Sequence, residues 1–234
     1  MDADRLPLVL MYHSVEPYET DPYRVTVHPR RFDQQLHWLQ RRGLRGVAMT
    51  ELLTDRRPET VGLTFDDGYT DFLTTVLPAL QRYGFTATVF VIAGALGGDN
   101  HWDAPGPRKA LMTAADVGRV ADAGMEVGSH SLHHVRLPEI SDAQLQDEVG
   151  ESRSRLAALT GRPVSGFCYP YGAVGDREVR AVRAAGYEYA CAVGSSPLNG
   201  RHALPRAFIG DRDGSARLFA KVARHRLTTG RGPR

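Results

Sequence analysis

Residues 60–92, TVGLTFDDGYTDFLTTVLPALQRYGFTATVFVI, hold a strand, a helix and a second strand in immediate succession. Thr60–Phe65 (TVGLTF) is a short apolar run that ends at Asp-Asp-Gly, the signature of a buried strand. From Phe72 to Tyr83, residues Leu73, Val76, Leu77 and Leu80 recur at helical spacing, and Gly84 stops the helix. Thr86–Ile92 (TATVFVI) is β-branched and apolar, so it reads as another buried strand.

The same alternation runs outward in both directions. Upstream, Leu8–Tyr12 (LVLMY) is a strand, and Pro29–Arg42 carries Phe32, Leu36 and Leu39 on one helical face before Gly43. Downstream, Thr113 caps a helix to Ala123, with Gly124 following, and Met125–Ser129 is a short strand. Ser141–Thr160 is the longest helix, capped by Ser141, lined by Leu145, Val149 and Leu156 and closed by Gly161. Ser165–Tyr169, Tyr187–Val193 and Ala207–Ile209 read as strands, and Asp176–Ala185 as a helix ended by Gly186. Strand followed by helix, repeated in this way, implies a parallel sheet. The expectation is an α/β fold: one domain over residues 1–234, a closed or nearly closed barrel of about seven parallel strands. Catalytic groups in such folds sit just past the C-terminal strand ends.

Bulk properties narrow the function. The chain has 234 residues, 42% hydrophobic and 24% charged, which is enough to bury a core. Its net charge of +2 argues against a nucleic-acid partner whose phosphates it would neutralise. Basic residues gather only from Arg212 to Arg234, read as a solvated terminal helix and tail, with weak attraction to an anionic surface or substrate as the lesser reading. Cys168 and Cys191 lack the spacing of a metal knuckle or redox pair, and a disulfide between them is left open. The N-terminal residues have no basic stretch before a long apolar one, and the run Ala87–Leu96 is too short to span a bilayer. A cytoplasmic protein without stable membrane insertion is expected; oligomeric state is not legible.

Three strand ends are decorated. TVGLTF runs into Asp66-Asp67-Gly68, MEVGS into His130-Ser131-Leu132-His133-His134, and GFCY into Pro170-Tyr171-Gly172. Adjacent carboxylates repel unless one holds a cation, so one metal ligand and one free base is the natural division. An Asp-Asp-Gly turn that only satisfies backbone donors is the plainer alternative. His130 and His134 stand four apart, which on one helical turn would point both rings to the same side, with His133 pointing elsewhere. A polar loop with surface histidines is the alternative there. One Asp with two His leaves room for water and substrate, as in a catalytic metal site.

These segments resemble the polysaccharide deacetylase family, the NodB-homology domain of carbohydrate esterase family four. The resemblance rests on TFDDG (64–68), HSLHH (130–134) and FCYPYG (167–172), and on PLVLMYHSV, GFTATVFV and LPR, and it covers nearly the whole chain. It implies a metal-dependent hydrolase that removes the N-acetyl group from an amino sugar or polysaccharide. It implies Asp66 as general base and Asp67, His130 and His134 as ligands of a divalent ion, zinc first, with cobalt, nickel or iron tolerated. Tyr171 lies in the turn whose backbone amide helps form the family's oxyanion site.

Two departures stand out. Where many members carry an Arg in the third motif, this chain has Cys168, and Arg206 of LPR is the candidate substitute. The late Leu-x-His that supplies the acid is missing, since His225 falls in the basic stretch ARHRL. The branch acting on poly-N-acetylglucosamine shares the opening MYHxV, with its histidine lining the site. His13 is therefore assigned as general acid, against the alternative of a structural histidine at the barrel rim. Trp102 reads equally as a sugar-stacking ring or a cap on the core, while Trp38, Tyr12 and Tyr169 read as packing. Two rival functions remain. A non-haem iron oxygenase shares the ligand set, but not the helix-strand alternation and not a use for Asp66. A catalytically inactive carbohydrate-binding or scaffold protein is kept alive by the missing Arg and late His.

Overall fold

The computed structural model describes residues 6–55, 57–194 and 197–229, with side chains to residue 225. The first five residues and the last five of the basic tail lie outside the described residues. The strands are β1 (Val9–Tyr12), β2 (Ser14–Val15), β3 (Thr26–Val27), β4 (Arg45–Val47), β5 (Thr60–Phe65), β6 (Thr88–Val91), β7 (Glu126–Ser129), β8 (Gly166–Cys168), β9 (Tyr189–Cys191) and β10 (Ala207–Phe208). The helices are α1 (Pro29–Arg41), α2 (Met49–Thr54), α3 (Leu77–Tyr83), α4 (Ala114–Asp122), α5 (Asp142–Thr160), α6 (Asp176–Ala184) and α7 (Ser215–Thr229).

Seven strands run in the order β10-β1-β5-β6-β7-β8-β9, and β4 pairs with the start of β5 as an eighth. Every pairing is parallel. The sheet curls, and residues 203–208 bring its two edges together. Leu204 bridges Cys191 at the β9 edge, while Ala207 pairs with Leu10 at the other. β5 is buried along its whole length, as expected of a strand covered on both faces. Beneath the C-terminal strand ends, Phe65 stacks on Tyr12 at 5.1 Å and meets Phe72 edge-on at 5.1 Å and Phe32 edge-on at 5.9 Å.

The capping residues act as their chemistry dictates. Thr113 and Ser141 each accept the amide of the third helical residue in a capping box. Gly161 ends α5 at φ 64°, where a side chain would be strained.

Two local features differ from the sequence expectation, and a third settles a point it left open. β4 and α2 fall where only short patterns exist, too brief for either periodicity to register. The expected helix Phe72–Tyr83 opens with a π segment, Phe72–Val76, in which the Leu77 amide reaches back to the Phe72 carbonyl. Pro78 lacks an amide hydrogen and its ring would collide with the carbonyl four residues earlier, so the turn before it widens. Cys168 and Cys191 face each other in register on neighbouring strands, yet both are free thiols. Among the described residues, no helix is long and apolar enough to cross a membrane.

Candidate active site

β5 delivers its carboxylates through a tight left-handed turn. Asp67 sits at φ 71° and Gly68 at φ 76°. A Cβ on Gly68 would also lie 3.3 Å from Val91, so the position suits glycine twice over. The two aspartates are both buried but point to different partners.

The histidine loop follows β7 and is not helical. Ser131 and His134 adopt left-handed backbones at φ 66° and 57°, so a coiled loop, not a helical turn, brings the rings together. The four-residue spacing thus identified the pair by the wrong geometry. The loop is clamped from α5. Glu148 accepts the amides of Leu132 and His133, each at 2.9 Å, and pairs with His133 Nδ1 at 2.7 Å. His133 is thereby turned away. Glu148 was missed by sequence reasoning, although an acid beside Val149 on the buried face of an amphipathic helix was the available signal.

His130, His134 and Asp67 converge. The Nε2 atoms of His130 and His134 lie 3.3 and 3.4 Å from Asp67 Oδ1. The three donor atoms fall within 4.8 Å of one another, a span one ion can bridge. His130 Nδ1 lies 2.8 Å from the Cys168 carbonyl oxygen. A carbonyl only accepts, so Nδ1 carries a hydrogen. Burial would lower the His130 pKa, but Cys168 and Asp67 outweigh it, so without an ion Nε2 also carries a hydrogen toward Asp67 and would give it up to offer its lone pair to a cation. Burial, the largest influence on His134, drops its pKa to about 3, which leaves a neutral imidazole, the form that ligates metal. Burial would raise Asp67, but the hydrogen bond to His130 and the neighbouring charges outweigh it and hold the carboxyl well below its ordinary range. The donor set of one carboxylate and two imidazoles fits a divalent ion of the zinc type.

A second grouping, Asp66, His130 and Cys168, also falls within ligand distance. It already houses a cation. Arg206 donates from Nη1 to Asp66 Oδ1 at 2.6 Å, from Nη2 to Asp66 Oδ2 at 2.8 Å, and from Nη2 to Cys168 Sγ at 3.0 Å. A metal there would face the guanidinium, so the Asp67 grouping is the one suited to an ion. Burial would raise the Asp66 carboxyl, but the charge and hydrogen bonds of Arg206 outweigh it and hold it below the usual carboxylate value. Arg206 reaches Asp66 because residues 203–208 seam the sheet, and its Nε donates to the Ala192 carbonyl at 3.1 Å.

His13 follows β1 directly, with Nε2 at 3.9 Å from Asp66 Oδ2. Across the site, Tyr171 holds a left-handed backbone at φ 58° between Pro170 and Gly172. Its ring lies 4.6 Å from His134, and Trp102 lies 4.5 Å from the same imidazole. The two rings flank one ligand and form an aromatic wall. Trp38, Tyr12 and Tyr169 are buried in the core. The structure thus brings Asp66, Asp67, His130, His134, His13 and Arg206 to one sheet end, with Tyr171 at its rim. His225 stays apart, pairing with the Leu6 carbonyl.

Comparison with known proteins adds to this geometry. The family model for polysaccharide deacetylase matches residues 54–190. A Bacillus subtilis relative named for polysaccharide deacetylation, YxkH, is 27% identical over 190 residues, which are 79% of this chain and 63% of that one. The present chain therefore spans less than two thirds of that relative. The poly-β-1,6-N-acetyl-D-glucosamine N-deacetylase of Staphylococcus aureus is 22% identical over 203 residues, 80% of this chain and 68% of the other. Among solved structures, the Streptococcus pyogenes deacetylase PplD in complex with acetate superposes with a TM-score of 0.77 at 23% identity, covering 93% of this chain and 97% of that one. At that identity the likeness speaks for the fold.

Proposed function

The chain belongs to the polysaccharide deacetylase family, and from that premise we propose that it hydrolyses the N-acetyl group of an amino sugar in a glycan, using a divalent metal ion. The observation that carries this reading is the convergence of Asp67, His130 and His134 donor atoms beside a carboxylate, Asp66, that is held ionised by Arg206.

Asp67, His130 and His134 would hold the ion, zinc first. When bound, such an ion supplies Lewis acidity, acidifying water and drawing electron density from a carbonyl oxygen. Asp66 takes the proton from the attacking water. Arg206 occupies one lone pair on each Asp66 oxygen, which fixes the carboxylate plane and leaves further lone pairs for that proton. Negative charge developing on the acetyl oxygen meets the backbone amide of Tyr171 in its left-handed turn. His13 lies across Asp66 and delivers a proton to the departing nitrogen. The products are acetate and the free amine. Trp102 and Tyr171 offer aromatic faces to the sugar on either side of His134.

The test is acetate release from N-acetylated sugars of increasing length, with zinc or cobalt added and then with chelator. The reading requires metal-dependent release and a loss of about 10²–10⁴-fold in Asp66→Asn, the range of a general base. Absence of acetate from every substrate in the presence of metal would instead favour a binding or scaffold role.

A further inference from the structure

The sheet end that carries the catalytic groups extends beyond His13. Parallel pairing sets Ala207 against Leu10 and Phe208 against Met11, and the Ile209 amide donates to the Met11 carbonyl. Residues 210–213 therefore emerge level with His13 and the loop after it. The Phe208 ring centroid lies 6.2 Å from that of His13, and Phe208 also lines a cavity of about 530 Å³. Phe208 is thus common to the cavity lining and to the surroundings of His13.

Acids and bases both border the cavity, but they are not equally available. Asp21 accepts the amides of Val25 and Thr26 at 3.2 and 2.8 Å. Asp211 accepts the His28 amide at 2.9 Å. Asp213 accepts the Gly210 amide at 2.8 Å and the Lys221 ammonium at 2.6 Å. All three carboxylates accept backbone amides and keep their negative charge, with Lys221 offsetting Asp213, so four cations line the cavity against three anions. Arg24, Arg212 and Arg217 line the same cavity, and none makes an ion pair among the described residues. Arg24 further sits in the left-handed region at φ 59°, held there by the Asp21 loop. A non-glycine residue in that conformation is uncommon, and here it sets the Arg24 side chain at the cavity.

We propose that this cavity is a subsite for an oxyanion carried by the substrate, a carboxylate or phosphate on the unit next to the N-acetyl sugar at the metal. The assignment rests on the deacetylase reading and names the substrate class: an acidic glycan or a phosphate-linked amino sugar. The guanidinium fork matches both oxyanions through paired hydrogen bonds. Phe208 and the half-exposed Tyr18 supply the apolar faces on which the ring bearing the anion rests.

Isothermal titration calorimetry on the zinc-loaded chain at low salt tests this with three probes: neutral diacetylchitobiose, glucuronosyl-N-acetylglucosamine, and N-acetylglucosamine 1-phosphate. At least one anionic probe should bind tenfold or more tightly than the neutral one, and the tighter of the two identifies the oxyanion. Arg212→Gln with Arg217→Gln should abolish that advantage, and Arg217→Glu should reverse it; both positions are exposed, so the fold tolerates them. Equal affinities for all three probes, no measurable binding of any, or an advantage that survives the double substitution would each overturn the proposal. Acetate is followed in parallel so that heats of binding and of hydrolysis are separated, and failure to release acetate would count against the deacetylase reading alone.

Discussion

Arg206 grips Asp66 through two parallel hydrogen bonds, 2.6 and 2.8 Å long, although 140 residues separate them. The pair is buried, and a buried ion pair broken on one side leaves an uncompensated charge. Arg206→Met should therefore destabilise the fold by about 3–5 kcal/mol. Arg206→Lys keeps the charge but not the fork, and should lower kcat/KM while leaving most of the fold intact. In that variant the acid limb of the pH–rate profile should move to higher pH, because the carboxyl keeps a neighbouring charge but loses the paired hydrogen bonds that help hold it ionised. A profile with an unmoved acid limb would remove Arg206 from the tuning role. The same pair contributes stability above the ordinary carboxylate pKa, lost as pH falls through the depressed value of Asp66.

Metal binding should be visible in stability as well as in turnover. An ion that binds only the folded chain adds about 2.7 kcal/mol at 100 times its dissociation constant. For a chain of this length that corresponds to a rise in Tm of roughly 5–10 °C. Thermal melts with zinc and then with chelator check this, and His134→Ala should abolish the increment. An undiminished increment in His134→Ala would place the stabilising ion elsewhere.

Glu148 holds the ligand loop without touching the proposed ion. Glu148→Ala frees two backbone amides and His133, loosening the loop that carries both histidine ligands, and should weaken metal affinity toward the lower end of the about 10–100-fold range seen when a ligand's own outer partner is lost. Competition against a fluorescent chelator measures it. If affinity is unchanged while only Tm falls, Glu148 is structural and nothing more.

Much of this was legible beforehand. Thr60–Phe65 is a strand with the boundaries its sequence suggests, and Thr113 and Ser141 cap the helices they precede. These signals are local, and local chemistry decides them. What sequence could not convey was long-range. The seam at residues 203–208, which carries Arg206 to Asp66, depends on both sheet edges meeting, and no periodicity within LPR encodes that. The histidine loop shows the opposite limit: its two left-handed residues, Ser131 and His134, are not glycines, so nothing in composition flagged the coil. Glu148 required knowing which loop α5 faces.

Asp71 offers a separate check on the loop after His13. It accepts Ser14 Oγ–H at 2.6 Å and the Val15 amide at 3.0 Å, and burial pushes its carboxyl up to about 6. A folded pKa above the unfolded one means stability present at low pH and lost as pH rises from about 4 toward 6. Relative to Asp71→Asn, the native chain should therefore lose Tm across that window. Parallel melts of the two proteins at intervals between pH 4 and 7 would show it. Parallel curves would mean that Asp71 ionises at no cost.

The account stands on a single ion site. Anomalous diffraction from a zinc-soaked crystal, recorded above and below the zinc edge, addresses it directly. The expected result is one strong peak about 2.0–2.2 Å from Asp67 and from the Nε2 atoms of His130 and His134. A peak beside Asp66 and Cys168, or none at this end of the sheet, would contradict it.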